Sequence, residues 1–87
     1  MRNMKSKITY PFYVIVYYYK DEFTAYSKHS IVQPWIAQTK SLKYAKKYKN
    51  KGSAVKRAEG IREIYKWDKD IKIEVEKIVK PIRKDED

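Results

Sequence analysis

The sequence predicts a small α+β domain of order ββααβ, with a three-stranded, mainly antiparallel sheet carrying two helices on one face. Three observations carry that expectation. Tyr10 to Lys20 is almost wholly β-branched or aromatic; residues 39–67 space their apolar side chains at helical intervals; Ile71, Ile73 and Val75 alternate with Lys72, Glu74 and Glu76. A chain of 87 residues is long enough for one core of two packed layers and too short for two. The expected division is a basic lead-in over 1–9, one domain over 10–80 and a charged tail over 81–87.

The elements follow in order. In the first strand Phe12, Val14, Val16 and Tyr18 point one way and Tyr13, Ile15, Tyr17 and Tyr19 the other, so both faces are apolar and the strand belongs in the middle of its sheet. Lys20-Asp21-Glu22-Phe23 makes a short polar break before a second strand over 23–32, a hairpin without the Asn-Gly of the tightest turns. Gln33-Pro34-Trp35 then interrupts, because proline has no amide to give a ladder. From Thr39, Leu42, Ala45, Tyr48 and Tyr44 form an apolar strip among lysines, which predicts a first helix ending at Asn50-Lys51-Gly52. Ser53 is the expected N-cap of a second helix from Ala54 to about Trp67, buried through Ala54, Ala58, Ile61 and Tyr65. The last strand covers 71–79. Ile78 and Val79 break its alternation, which a bulge or a strand end explains.

Composition excludes several functions. The chain has no cysteine, which removes disulfides, thiolate metal sites and a cysteine nucleophile and fits a reducing cytoplasm. Its N-terminal basic residues precede an apolar stretch broken by Pro11, unlike a leader peptide, and no window approaches 18 consecutive apolar residues. Catalysis has little support. The one histidine, His29, lacks an obvious nucleophile and carboxylate partner, and two glycines cannot build a phosphate-cradling loop. Lysines at 66, 69, 72 and 77 interleave with Asp68, Asp70, Glu74 and Glu76 and oppose a metal there. The expectation is a protein that is not an enzyme and needs no cofactor or metal.

Charge is the positive clue. The formal net charge is +10, yet residues 1–58 hold 13 basic and 2 acidic side chains whereas residues 59–87 hold 8 and 9. Between Phe23 and Ala58 there is no Asp or Glu. Lys40, Lys43, Lys46, Lys47, Lys49, Lys51, Lys56 and Arg57 in that stretch are the candidate contacts to phosphate or to an acidic partner surface. The plainer alternative is that these lysines simply solvate an amphipathic helix. Tyr13, Tyr17, Tyr19, Tyr44 and Tyr48 are the candidates for base stacking or for anchoring a protein interface. The plainer alternative for the tyrosine face is packing against Trp35 and the N-terminal segment, or against a second copy in a homodimer.

The Tyr-rich opening hairpin, the run Leu42-Lys43-Tyr44-Ala45-Lys46-Lys47-Tyr48, Ser53-Ala54 opening a helix and the closing Ile-x-Ile-x-Val strand together resemble small accessory proteins of phages of low-GC Gram-positive bacteria. Some proteins of that kind are anti-defence inhibitors, including anti-CRISPR proteins. The resemblance therefore implies, beside nucleic acid, a host nucleoprotein or nuclease as partner and the host cytoplasm as location.

Overall fold

A computed structural model describes residues 10–30 and 37–79. The lead-in over 1–9, the Gln33-Pro34-Trp35 break, residues 31–32 of the expected second strand and the tail over 81–87 lie outside the described residues; that strand, expected over 23–32, already stops at Ser27. The structure is α+β and its sheet is antiparallel throughout. The described residues hold four strands and one α-helix where three and two were expected: β1 (Phe12–Tyr19), β2 (Glu22–Ser27), β3 (Gln38–Thr39), a 3₁₀ turn (Leu42–Tyr44), α1 (Lys51–Ile64) and β4 (Ile71–Ile78), with strand order β3-β2-β1-β4.

β1 is central, as its two apolar faces require. It pairs along its whole length with β4, from Phe12 opposite Ile78 to Tyr19 opposite Ile71, and through its C-terminal half with β2. The hairpin between β1 and β2 closes on two residues, Lys20 and Asp21, both at positive φ (51° and 68°). Those are the dihedrals of the turn type that suits strand twist, reached here without asparagine or glycine. The turn is tied to the rest of the sheet: Lys20 N–H donates to the Asp70 carbonyl at 2.8 Å, and Lys72 Nζ lies 2.7 Å from Asp21 Oδ1. Pairing then shifts, because Tyr17 faces Ala25 whereas Tyr18 faces Phe23, which leaves Thr24 as the extra residue of a bulge. The bulge puts Phe23 on the same side as Tyr26, and their rings meet at 5.0 Å.

Both faces of β1 are covered. On one, Ile15, Tyr17 and Ile73 pack against Ala58 and Ile61 of α1. Ala54 and Ala58 are fully buried, so small side chains let the helix lie close to the sheet. Tyr65, the residue after the helix, sets its ring edge-on to Tyr17 at 5.9 Å. On the other face Phe12, Val14, Val16 and Ile78 pack against Leu42 and Ala45. Ile78 continues the alternation of β4 on the side of Glu74 and Glu76 and is buried because Leu42 and Ala45 roof that end. The strand stops there without a bulge.

The expected first helix over 39–49 does not form. β3 pairs with β2, a single 3₁₀ turn follows, and the chain then runs extended: Lys46 N–H donates to the Ser27 carbonyl at 3.0 Å, and Tyr48 exchanges both backbone hydrogen bonds with Tyr13 at 2.7 and 2.9 Å. Two physical reasons decide against a helix. A window of about ten residues is too short to form one on its own propensity. β2 reaches only to Val16 along β1, so the backbone groups of Tyr13 would otherwise go unpaired, and Tyr48 supplies their partner. The helix that does form starts three residues earlier than expected. Asn50 is its N-cap, and its side chain accepts from Ser53 N–H at 3.1 Å. Ser53, expected as the cap, is in the first turn.

Candidate nucleic-acid interface

The extended segment from Ala45 to Lys49 crosses from one face of the sheet to the other beside the N-terminal end of β1. Strand geometry then sorts its side chains by alternation. Tyr48 packs into the cluster beneath α1, and the Lys46 ammonium lies 5.6 Å from the Tyr48 ring. Lys47 turns the other way, over the Phe12 ring at 5.7 Å. Its Nζ donates to the carbonyls of Leu42 (3.0 Å), Lys43 (2.9 Å) and Ala45 (3.2 Å), satisfying the open end of the 3₁₀ turn. Burial lowers its pKa from the ordinary lysine value. Of the expected phosphate contacts, Lys47 is therefore committed to the fold.

The remaining cations divide by position. Lys43, Lys46, Lys49 and Lys51 are exposed around the Phe12 end of the sheet, Lys40 is exposed where β3 ends beside the middle of β2, and none of the five forms an ion pair among the described residues. The N-terminus of α1 opens at the same end with no acidic residue in its first turn, so its partial positive charge adds to theirs. Lys56 is exposed further along the helix, and Arg57 is half-buried with interactions of its own. The carboxylates gather elsewhere. Asp21, Glu22, Asp68 and Asp70 surround the Tyr19 end, Glu74 and Glu76 stand on β4, and Glu59 and Glu63 are exposed on α1. Glu76 and Glu74 stand opposite Val14 and Val16, and the Tyr19 end also carries Lys20, Lys69 and Lys72, so the contrast is between a cluster of lysines at the Phe12 end and a surface of mixed charge over the rest of the sheet.

The tyrosines separate too. Tyr17 is 3% exposed, and its pKa is pushed up to about 12, chiefly by burial and then by Tyr65 beside it, so it leaves the set of stacking candidates. Tyr13 and Tyr48 are half-buried partners at the β1 edge. Tyr19 is exposed, but at the far end of β1 from the lysine cluster. Tyr44 keeps 63% of its surface in water, at the end of the 3₁₀ turn, with Lys43 Nζ 5.6 Å from its ring centre. It is the candidate tyrosine that combines an exposed ring with the basic end.

Residues that sequence reasoning passed over also hold the surface together. Arg62 reaches the outer edge of β4, where Nε and Nη2 both donate to the Ile73 carbonyl at 3.0 and 2.6 Å. An arginine in the last turn of α1, just ahead of the strand that follows, was the available signal. Tyr18 donates its hydroxyl to Glu76, and that bond, more than burial, raises its pKa to about 12. Trp67 is 86% exposed beyond the helix, with Lys66 over its ring at 5.2 Å. His29 is exposed, and among the described residues no group of three or more His, Cys, Asp or Glu is placed to hold a metal. No described helix is long and apolar enough to cross a membrane.

Comparison of the chain with protein-family models, with curated proteins and with solved structures gives no match, so the resemblance to phage accessory proteins rests on its sequence pattern.

Proposed function

We propose that this chain is a non-catalytic binding module whose basic end engages nucleic acid. The observation that carries the reading is the gathering of Lys43, Lys46, Lys49 and Lys51, exposed and without an ion pair among the described residues, at one end of a sheet whose other end mixes carboxylates with lysines. Like charges held together cost stability unless a polyanion offsets them. Lysine ammonium groups suit phosphate as mobile point charges, and binding through them releases counterions and weakens as salt rises. Contacts of this kind give affinity with little sequence preference.

The test is an electrophoretic mobility shift at low salt with mixed single- and double-stranded probes. Replacing Lys43, Lys46 and Lys49 together with Glu, leaving Lys47 to hold its turn, is expected to abolish the shift. Replacing Lys66 and Lys69 with Glu at the opposite end is expected to leave it unchanged. A shift that survives the first set of substitutions refutes the reading. So does the absence of any shift with the unmodified protein, in which case capture of a host nuclease or nucleoprotein becomes the experiment to run.

A further inference from the structure

We infer that the nucleic acid bound at the basic end is single-stranded, with a base stacked on Tyr44. This inference rests on the proposed binding role and names the substrate class within it. Two independent observations point the same way.

The first is the shape of the basic surface. The elements that most often seat a protein in the major groove of a duplex are an α-helix and a two-stranded ribbon. The lysine-rich stretch is neither, because it runs as a 3₁₀ turn followed by an extended strap that rounds the end of the sheet. The α-helix of the described fold is also unsuited to a groove. Its outward side sets Glu59 and Glu63 beside Lys56, and carboxylates there repel the phosphates that would flank it.

The second is the exposed ring. A tyrosine that is 63% exposed among exposed lysines offers a π-face to any base that can leave its own stack, and only unpaired bases can do so. The Lys43 ammonium over that ring is then placed for the phosphate of the stacked nucleotide, while Lys46 and Lys49 follow along the strap. Aromatic platforms beside a cationic track are the usual means of holding single strands without reading sequence.

The experiment is fluorescence anisotropy with labelled oligo-dT, oligo-U and a blunt duplex of equal length, across a salt series. The unmodified protein is expected to bind one or both single strands at least tenfold more tightly than the duplex at the same salt. The two single strands present similar pyrimidine bases and the same phosphates, and their ratio reports whether the 2′-hydroxyl contributes. Tyr44→Ala is expected to weaken single-strand binding about five- to hundredfold with the salt slope unchanged. Lys46→Gln is expected to reduce the slope by about 0.7, the share of one phosphate that the lysine no longer neutralises. Equal affinity for duplex and single strand, or a Tyr44→Ala protein that binds as before, overturns this inference and leaves the binding role standing. Failure to bind any probe overturns both. Tyr44 is exposed, so an unchanged thermal melt of Tyr44→Ala verifies that the fold is intact.

Discussion

Lys47 shows how one side chain can carry the charge of a binding surface and still do something else. In sequence it is indistinguishable from Lys46 and Lys49, because all three belong to one acid-free run. In the fold its ammonium ends a 3₁₀ turn at three carbonyls, whereas Lys46 and Lys49 face water. A hydrogen bond from a charged donor contributes about 1.5–3 kcal/mol when buried, and half-exposure discounts that toward the lower end. Lys47→Met keeps the aliphatic stem over Phe12 and removes the donors. The expected cost is about 1–2 kcal/mol of stability in urea denaturation, with single-strand affinity changed less than by Lys46→Gln. Equal effects of the two substitutions on affinity, with no loss of stability for Lys47→Met, would contradict the division of labour between neighbours.

At the scale of the element, strands proved more legible in the sequence than the segment that joins them. β1 and β4 follow from side-chain alternation, and their pairing leaves both apolar faces of β1 covered. α1 was visible in Ala54, Ala58, Ile61 and Tyr65 at spacings of four, three and four. Its start was not, because Asn50 reads equally as a breaker and as a cap. The 39–49 segment misled for a specific reason. Leu42 and Ala45 are three apart and share a face in a 3₁₀ turn as they would in a helix, while Tyr48 completes the same spacing although it lies on the opposite face of the sheet. What decides between the two is the unpaired stretch of β1 at Tyr13, and a long-range backbone vacancy leaves no local trace. The candidate site was legible as a set of charges and illegible as a surface, since only the fold separates Lys47 from its neighbours and buried Tyr17 from exposed Tyr44. The hairpin itself was legible as the polar break after Tyr19, whereas its closure on two residues was not. Lys20 and Asp21 occupy left-handed dihedrals at a cost of about 1–2 kcal/mol for a residue with a Cβ. Lys20→Asn with Asp21→Gly supplies the residues this turn prefers. The exposed Asp21–Lys72 pair it removes contributes little. The double substitution is expected to raise the melting temperature by roughly 4–8 °C, the equivalent of about 1 kcal/mol in a domain of this size. A lowered melting temperature would mean that Asp21 holds the turn more strongly than its exposure suggests.

Across the whole molecule, the same gathering of charge that suits a polyanion works against folding. The formal net charge is +10, and the ion pairs among the described residues, Lys66 with Glu63 and Lys72 with Asp21, are both exposed and away from the lysine cluster. Salt therefore acts mainly on repulsion. At 0.1 M the screening length is about 10 Å, comparable to the spacing of neighbouring surface lysines, so added salt weakens like-charge repulsion more than it weakens pairs of small worth. Stability is expected to rise between about 20 and 200 mM NaCl, the opposite of a fold held by surface ion pairs, whereas affinity for nucleic acid falls over the same range. Neutralising Lys43, Lys46 and Lys49 to Gln tests the link. If each like-charge contact costs about 0.3 kcal/mol, the triple variant gains about 1 kcal/mol at low salt, or roughly 4–8 °C in melting temperature. Its melting temperature should then respond less to salt than that of the unmodified protein. The contrary outcome, a variant that melts at or below the unmodified protein at about 20 mM NaCl, would show that these lysines stabilise the fold, and the cluster would lose its standing as a surface kept for a partner at the expense of stability.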